Sequence, residues 1–138
     1  QQTNGTDKKY ENYQNGFSAV ITGETNHNAA LNSYKELFKK VNFSTTLLSE
    51  FVSEIRVFRH QGITFYFYHP PTPNSMTFLE EKEGKYSAEY VTENLKNVGA
   101  SYIPIEEDFT SYDGSHINKS GAIRLSKIIA SFITKSTQ

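Results

Sequence analysis

The fold of this chain is decided by the stretch Ile63-Thr64-Phe65-Tyr66-Phe67-Tyr68-His69-Pro70-Pro71. Its first six residues are all β-branched or aromatic and do not alternate with polar ones, which is typical of an inner strand covered on both faces. The two prolines end the strand, because proline has no amide hydrogen to donate to a ladder. A strand covered in this way needs neighbouring helices, and the sequence on either side of it shows them.

Apolar residues recur at helical spacing on both sides of this strand. Upstream, the spacing predicts helices over about 27–41 and 45–61, and downstream over about 86–98. A final helix is predicted to begin at Asn118, a residue suited to an N-cap, and to end near residue 134. Residues 72–85 are expected to form a long loop. In the second helix, one buried face is expected to contain Leu48, Phe51, Val52, Ile55 and Phe58.

Two further strands complete the prediction, one over Ser101–Ile105 and one over Phe17–Ile21. Strands that alternate with helices favour an α/β domain, in which a parallel sheet is flanked by helices in a flavodoxin-like arrangement. Residues 1–16 are polar and lack a clear period, so they are expected to be a tail or strap. The domain itself is expected over residues 17–138.

Composition excludes several classes of function. The formal net charge is −1, from 14 basic and 15 acidic residues spread along the chain, so no footprint for nucleic acid is present. No apolar run approaches the roughly 20 residues that a membrane span needs. The chain contains no cysteine, which excludes disulfides and thiolate chemistry and favours an extracytoplasmic setting.

Asp113-Gly114-Ser115-His116 is the one place in the sequence that is equipped for chemistry. An aspartate three residues before a histidine in one tight turn can bond to one ring nitrogen and fix the tautomer, which leaves the other ring nitrogen free. The turn lies between a short predicted strand and the final helix. In an open parallel sheet, that position is at the edge where ligands collect. Asp113 and His116 are therefore the candidate catalytic residues.

Other polar residues near this edge have weaker claims. His69 and Ser75 follow the first inner strand, so they are candidates for substrate binding at the same edge, although a lone histidine at a strand end is also an ordinary hydrogen-bonding residue. His69, Asp113 and His116 could be drawn as a metal triplet, but their spacing is weak evidence, and no metal or other cofactor is expected. Asp-Gly-Ser is also ordinary turn sequence, which is the main structural alternative to a catalytic role.

Residues 112–122, Tyr-Asp-Gly-Ser-His-Ile-Asn-Lys-Ser-Gly-Ala, resemble the last sequence block of the SGNH (GDSL-type) hydrolase superfamily. In that superfamily an Asp-x-x-His turn leads into the C-terminal helix. The resemblance implies an SGNH-hydrolase-like fold and a serine esterase mechanism. His116 would take the proton from a serine, Asp113 would orient the ring, and backbone amides with a Gly and an Asn side chain would bind the oxyanion.

The rest of the superfamily's pattern is not found in this sequence. No Gly-Asp-Ser occurs, and neither Gly16-Phe17-Ser18 nor Gly23-Glu24-Thr25-Asn26 is a good substitute for the nucleophile or oxyanion blocks, so the nucleophile is unassigned. The chain is therefore expected to be the C-terminal portion of a larger fold, with a missing N-terminal half or a second chain completing the sheet. The implied substrates are acyl esters, with carbohydrate O-acyl groups among them. The alternatives are an O-acyltransferase of the same superfamily and a non-catalytic binding domain.

Overall fold

The structure is a computed structural model that describes residues 9–12, 18–22 and 27–136. In these residues, strands and helices follow one another along the chain, and the helices account for most of the sequence. The elements are β1 (Lys9–Asn12), β2 (Ser18–Thr22), α1 (His27–Phe38), α2 (Thr45–His60), β3 (Tyr66–Phe67), α3 (Asn74–Lys82), α4 (Ala88–Asn97), β4 (Ser101–Tyr102) and α5 (Lys119–Ser136).

β3 and β4 form a parallel pair, which confirms the α/β class at a coarse level. Tyr66 pairs with Ser101 and Phe67 with Tyr102. The ladder extends one residue at each end, since the Phe65 carbonyl accepts a hydrogen bond from the Ser101 amide and the Phe67 carbonyl accepts one from the Ile103 amide, both at 2.8 Å. Both strands are shorter than the sequence predicts, and in the described residues this sheet has two strands.

Helices lie on both faces of this pair, but the strand is less covered than the non-alternating sequence predicts, since Tyr66 and Phe67 are half-buried and Ile63, Thr64 and Tyr68 are exposed. Phe65 and Phe67 point to one face, where they pack against a core contributed mainly by α2 and α4. Tyr66 points to the other face, where its ring meets Phe132 of α5 edge-on with centroids 6.3 Å apart, a separation typical of aromatic pairs. The buried core residues are Leu48, Val52, Ile55, Leu95 and Ala100.

A second pair of strands precedes the first helix. β1 and β2 are antiparallel, with a register irregularity between Lys9 and Tyr10. β2 overlaps the predicted strand at Phe17–Ile21, although Phe17 itself lies outside the described residues. β1 falls inside the segment 1–16 that was expected to be a tail or strap; of that segment, only residues 9–12 are described.

Side-chain caps explain where three of the helices begin. The hydroxyls of Ser44 and Ser87 accept hydrogen bonds from the amides of the third residue beyond them, at the starts of α2 and α4. Asn118 caps α5 as predicted, because its Oδ1 accepts from the Gly121 amide at 2.9 Å. Gly99 follows α4 with φ of 79°, a left-handed conformation that glycine adopts without a steric cost.

Two expectations about the helices are wrong. Phe51 and Phe58 were expected on the buried face of α2 but are 56% and 40% exposed, because the surface that α2 presents to the core is narrower than its apolar stripe. Residues 72–85 were expected to form a loop, yet they contain α3, which begins after Pro73 and buries Met76. Within the described chain, none of the helices is both long and apolar enough to cross a bilayer.

Candidate functional site

The carboxylate of Asp113 organises the turn between β4 and α5. Its Oδ1 accepts hydrogen bonds from the backbone amides of Ser115, at 2.9 Å, and His116, at 2.8 Å. Its Oδ2 lies 2.8 Å from Nδ1 of the His116 ring. One carboxylate therefore holds both the backbone of the turn and the imidazole, which is the contact that the Asp-x-x-His spacing predicts.

The side chain of Ser111 holds the turn together through hydrogen bonds. Its buried hydroxyl donates to the His116 carbonyl at 2.9 Å and accepts from the Gly114 amide, also at 2.9 Å. The Tyr112 amide donates to the same His116 carbonyl at 3.0 Å. Gly114 has φ of 94°, which L-residues with a side chain rarely adopt, so glycine is required for this path of the backbone. The turn is thus fixed by its own hydrogen bonds.

The charge on Asp113 is stabilised by this arrangement. Partial burial of the carboxylate would by itself raise its pKa, but the hydrogen bonds from the His116 and Ser115 amides and from the His116 ring outweigh that effect. The pKa of Asp113 therefore lies below its usual range. An ionised carboxylate beside Nδ1 favours a proton on that nitrogen, which leaves Nε2 with an unshared electron pair.

The ring of His116 is held by its neighbours yet remains open to solvent. It stacks on Tyr112 with ring centroids 6.1 Å apart and an angle of 25° between the planes. Its side chain is 60% exposed. No residue in the described part of the chain forms a hydrogen bond to Nε2. The imidazole is therefore oriented on one side and available to an incoming group on the other.

A groove of about 470 Å³ runs between this turn and α1. Asp113 and His116 form one wall of the groove. The other wall comes from one side of α1, with Ala30, Ser33, Tyr34 and Leu37. The Ala30 amide, in the first turn of α1, donates to the Asp113 carbonyl at 3.2 Å, so helix and turn are bonded directly. The sequence contains no signal for this wall, because no local rule relates residues so far apart in the chain.

The structure does not bring His69 or Ser75 to the groove that contains His116. His69 lines two other cavities, one beside α1 and one beyond the carboxyl ends of β3 and β4. Ser75 is an exposed residue in the first turn of α3 and lines neither of these cavities nor the His116 groove. The sequence predicts one shared site at the carboxyl edge of the sheet. In the described residues, His69 and His116 instead line separate cavities.

Glu80 is a partner of His69 that sequence reasoning missed. It belongs to the run from Glu80 to Glu83, which reads as a solvated cluster of charges, but its side chain is partly buried. Its Oε2 lies 3.5 Å from Nε2 of His69 and has no contact with solvent, and this pair has the distance of an ion pair without good hydrogen-bond geometry. The Glu80 carboxylate raises the pKa of His69, although burial of the ring lowers it.

The described side chains contain no group of three or more histidine, aspartate or glutamate residues arranged to hold a metal ion. Comparison with known proteins gives no identification, since no family model, curated protein or solved structure matches the chain. The features of the molecule that bear on function are therefore the Asp113–His116 turn and the groove beside it.

Proposed function

We propose that Asp113 and His116 are the acid–base pair of an SGNH-type hydrolase that acts on acyl esters. The observation that supports this best is the 2.8 Å contact between Asp113 Oδ2 and His116 Nδ1, in a turn whose imidazole is otherwise exposed in a groove. A ring that is fixed at one nitrogen and open at the other has the arrangement of a general base.

In the proposed reaction, Nε2 of His116 takes the proton from a serine hydroxyl as the oxygen attacks the ester carbonyl. The imidazolium that forms is stabilised by the Asp113 carboxylate, and it then gives its proton to the leaving alcohol. Water hydrolyses the acyl-serine by the same proton path in reverse. Carbohydrate O-acyl groups are included among the proposed substrates because of the resemblance to the SGNH superfamily. If the acyl group were transferred to a second alcohol instead of water, the enzyme would be an O-acyltransferase.

The serine nucleophile is not assigned. Ser33 lines the same groove, but it lies in the middle of α1 and lacks the sharp strand-to-helix turn that presents a nucleophile. We propose that the hydroxyl comes from a segment outside the described residues, either in a longer polypeptide or in a second chain. This agrees with a β3–β4 sheet that has two strands in the described residues, fewer than a flavodoxin-like SGNH fold contains.

The test is the hydrolysis of p-nitrophenyl esters by the longest polypeptide that contains this sequence. His116→Ala should lower kcat/KM by a factor of about 10³ or more, as expected when a triad base is removed. His60→Ala is the matched control, because His60 is an exposed histidine at the end of α2. Ser33→Ala should not reproduce the loss caused by His116→Ala, since Ser33 lines the groove but is not the proposed nucleophile.

Equal rates for the wild type and His116→Ala would contradict the proposal. If the longest polypeptide binds acylated carbohydrate but turns over no ester, the non-catalytic binding domain is the correct alternative. Unfolding by urea should be followed for both histidine variants. The exposure of the His116 ring predicts that its replacement changes folding far less than it changes turnover.

A further inference from the structure

A second cavity, separate from the His116 groove, lies between α1 and α3. Its volume is about 410 Å³ and most of its lining is apolar. The aromatic rings of Phe38, Phe43 and Tyr86 lie in its walls. Phe43 and Tyr86 meet edge-on with centroids 5.8 Å apart, which fixes the orientation of the two rings. The remaining lining residues are Val41, Asn42, His69, Glu80 and Gly84.

Gly84, which lines this cavity, has no room for a side chain. A Cβ atom at this position would lie 2.7 Å from the Glu80 carbonyl oxygen and 3.3 Å from Cδ1 of Phe38. The backbone is also fixed here, because the Gly84 carbonyl accepts a hydrogen bond from the Phe43 amide at 2.7 Å. The Phe38 ring therefore approaches the backbone closely, and the cavity is a formed feature of this part of the fold.

While His69 is neutral, the formal charge of the side chains that line the cavity is negative. Among these residues, Glu80 is the acidic one, and neither lysine nor arginine is present. The imidazole of His69 is the sole titratable group there that can become positive, and it stacks on Tyr86 with centroids 5.6 Å apart. Burial raises the pKa of the Tyr86 hydroxyl, and the Glu80 carboxylate raises it further.

We propose that this cavity binds an organic cation, a small molecule that carries an alkylated ammonium group on an apolar body. Aromatic faces attract such cations through their quadrupoles, and the Glu80 carboxylate in the same cavity adds Coulomb attraction. An alkylated ammonium spreads its charge over the attached carbons, so it needs no direct hydrogen bond to Glu80. An anionic ligand would be repelled by Glu80, and a purely apolar one would desolvate the carboxylate without compensation.

The experiment compares choline with its neutral isostere, in which the quaternary nitrogen is replaced by carbon. Both are titrated into the ¹⁵N-labelled chain and followed by the amide shifts of Phe43, Gly84 and Tyr86. A pH of about 9 is well above the usual range of imidazole and therefore disfavours the protonated form of His69. Choline should bind at least about tenfold more tightly than the isostere, which corresponds to about 1.4 kcal/mol.

Variants identify the groups responsible. Glu80→Gln keeps the shape of the side chain and removes its charge, so it should weaken choline binding about tenfold and leave the isostere unaffected. Glu81→Gln is the matched control, because Glu81 is the exposed neighbour on α3. Tyr86→Phe should retain choline binding and Tyr86→Leu should weaken it severalfold, because the ring face and not the hydroxyl provides the attraction.

Three results would overturn the proposal. The first is the absence of saturable shifts at these amides with choline, in a chain whose spectrum is that of a folded protein. The second is equal affinity for choline and the isostere. The third is an equal loss of affinity in Glu80→Gln and Glu81→Gln, which would show a general effect of net charge and not a site.

Discussion

The carboxylate of Asp113 has two tasks, because each oxygen contacts a different part of the turn. Oδ1 is bonded to two backbone amides and Oδ2 to the imidazole. Removal of the carboxylate would therefore loosen the backbone and release the ring at the same time. The side chain is a determinant of stability as well as a proposed positioning group for His116.

Asp113→Asn should lower the free energy of unfolding by about 1–3 kcal/mol at neutral pH, because charge-assisted hydrogen bonds are lost. The folded-state pKa of Asp113 is below its usual 3.8, so the stabilisation is present above that pH and is lost as the pH falls through the lower folded-state value. Urea unfolding at a series of pH values should show the difference between wild type and variant shrinking below about pH 3.8.

Asp108→Asn, at an exposed position, is the control for the loss of one negative charge. If the difference in unfolding free energy between wild type and Asp113→Asn stayed constant down to the lowest pH, ionisation of Asp113 would have no role in stabilising the turn.

At the residue scale, the Asp113–His116 contact could be predicted from sequence and the groove could not. Two residues three positions apart in one turn meet through local geometry alone. Ser111 also acts locally, through hydrogen bonds within the same turn, whereas Ala30 contributes through tertiary structure, from a helix distant in sequence. Glu80 was misread for the same reason, since its partial burial depends on where α3 packs.

At the element scale, α2 shows that the width of an apolar stripe does not predict how much of the helix surface is buried. Leu48, Val52 and Ile55 are buried, while the apolar residues on the adjoining side of the helix are exposed. Periodicity identifies the helix but not the breadth of the surface that covers it. α3 was missed because its charged residues mask a weak apolar pattern after the prolines, and Met76 is its one fully buried side chain.

Two adjacent leucines in α2 provide a matched test. Leu48 is 8% exposed and Leu47 is 66% exposed. Leu48→Ala should cost about 2–5 kcal/mol of unfolding free energy through lost burial and a cavity, whereas Leu47→Ala should change it by less than about 0.5 kcal/mol. Urea denaturation of the two variants measures both values, and similar losses would mean that the outer side of α2 is covered in solution.

The cap of α5 is the second element-scale prediction. Asn118 Oδ1 accepts from the Gly121 amide and from the Ser120 hydroxyl. Asn118→Ala should cost about 1 kcal/mol, because an amide at the helix start loses its partner, while Asn118→Asp should retain the stability. Chemical denaturation distinguishes the two. An equal loss in both variants would mean that the amide group itself, and not an acceptor oxygen, is needed.

At the scale of the whole molecule, the sequence predicts the parallel pairing of the two central strands and the helices on both faces. It does not predict their extent, since β3 and β4 each contain two residues. The length of a strand depends on how many of its backbone groups pair with a neighbouring strand. This pairing is decided by the assembled fold. The division of the expected edge into separate cavities is a property of the same kind.

His69 and Glu80 connect α3 to the segment that follows β3, and this connection should depend on pH. The carboxylate raises the pKa of His69 above its usual 6.5, so the pair stabilises the fold below that pH and the contribution is lost as the pH rises through the folded-state value. The stability difference between wild type and His69→Gln should therefore decrease from pH about 6 to pH about 9.

Any change in ring stacking caused by His69→Gln shifts the free energy of unfolding by the same amount at every pH. Thermal or urea unfolding across this range measures the trend. Glu80→Gln should remove the pH dependence, and Glu81→Gln should preserve it. A difference that grows with pH would show that His69 is neutral where it contacts Glu80.

The hydrogen bond from the Ala30 amide to the Asp113 carbonyl joins α1 to the turn. Deuterium should enter the Ala30 amide when this junction separates, whereas the amides of Ser115 and His116 keep Asp113 Oδ1 as their acceptor and should exchange only when the turn itself opens. A molecule that wedges α1 away from the turn would then widen the groove without releasing the imidazole, and it would speed exchange at Ala30 more than at the two amides of the turn.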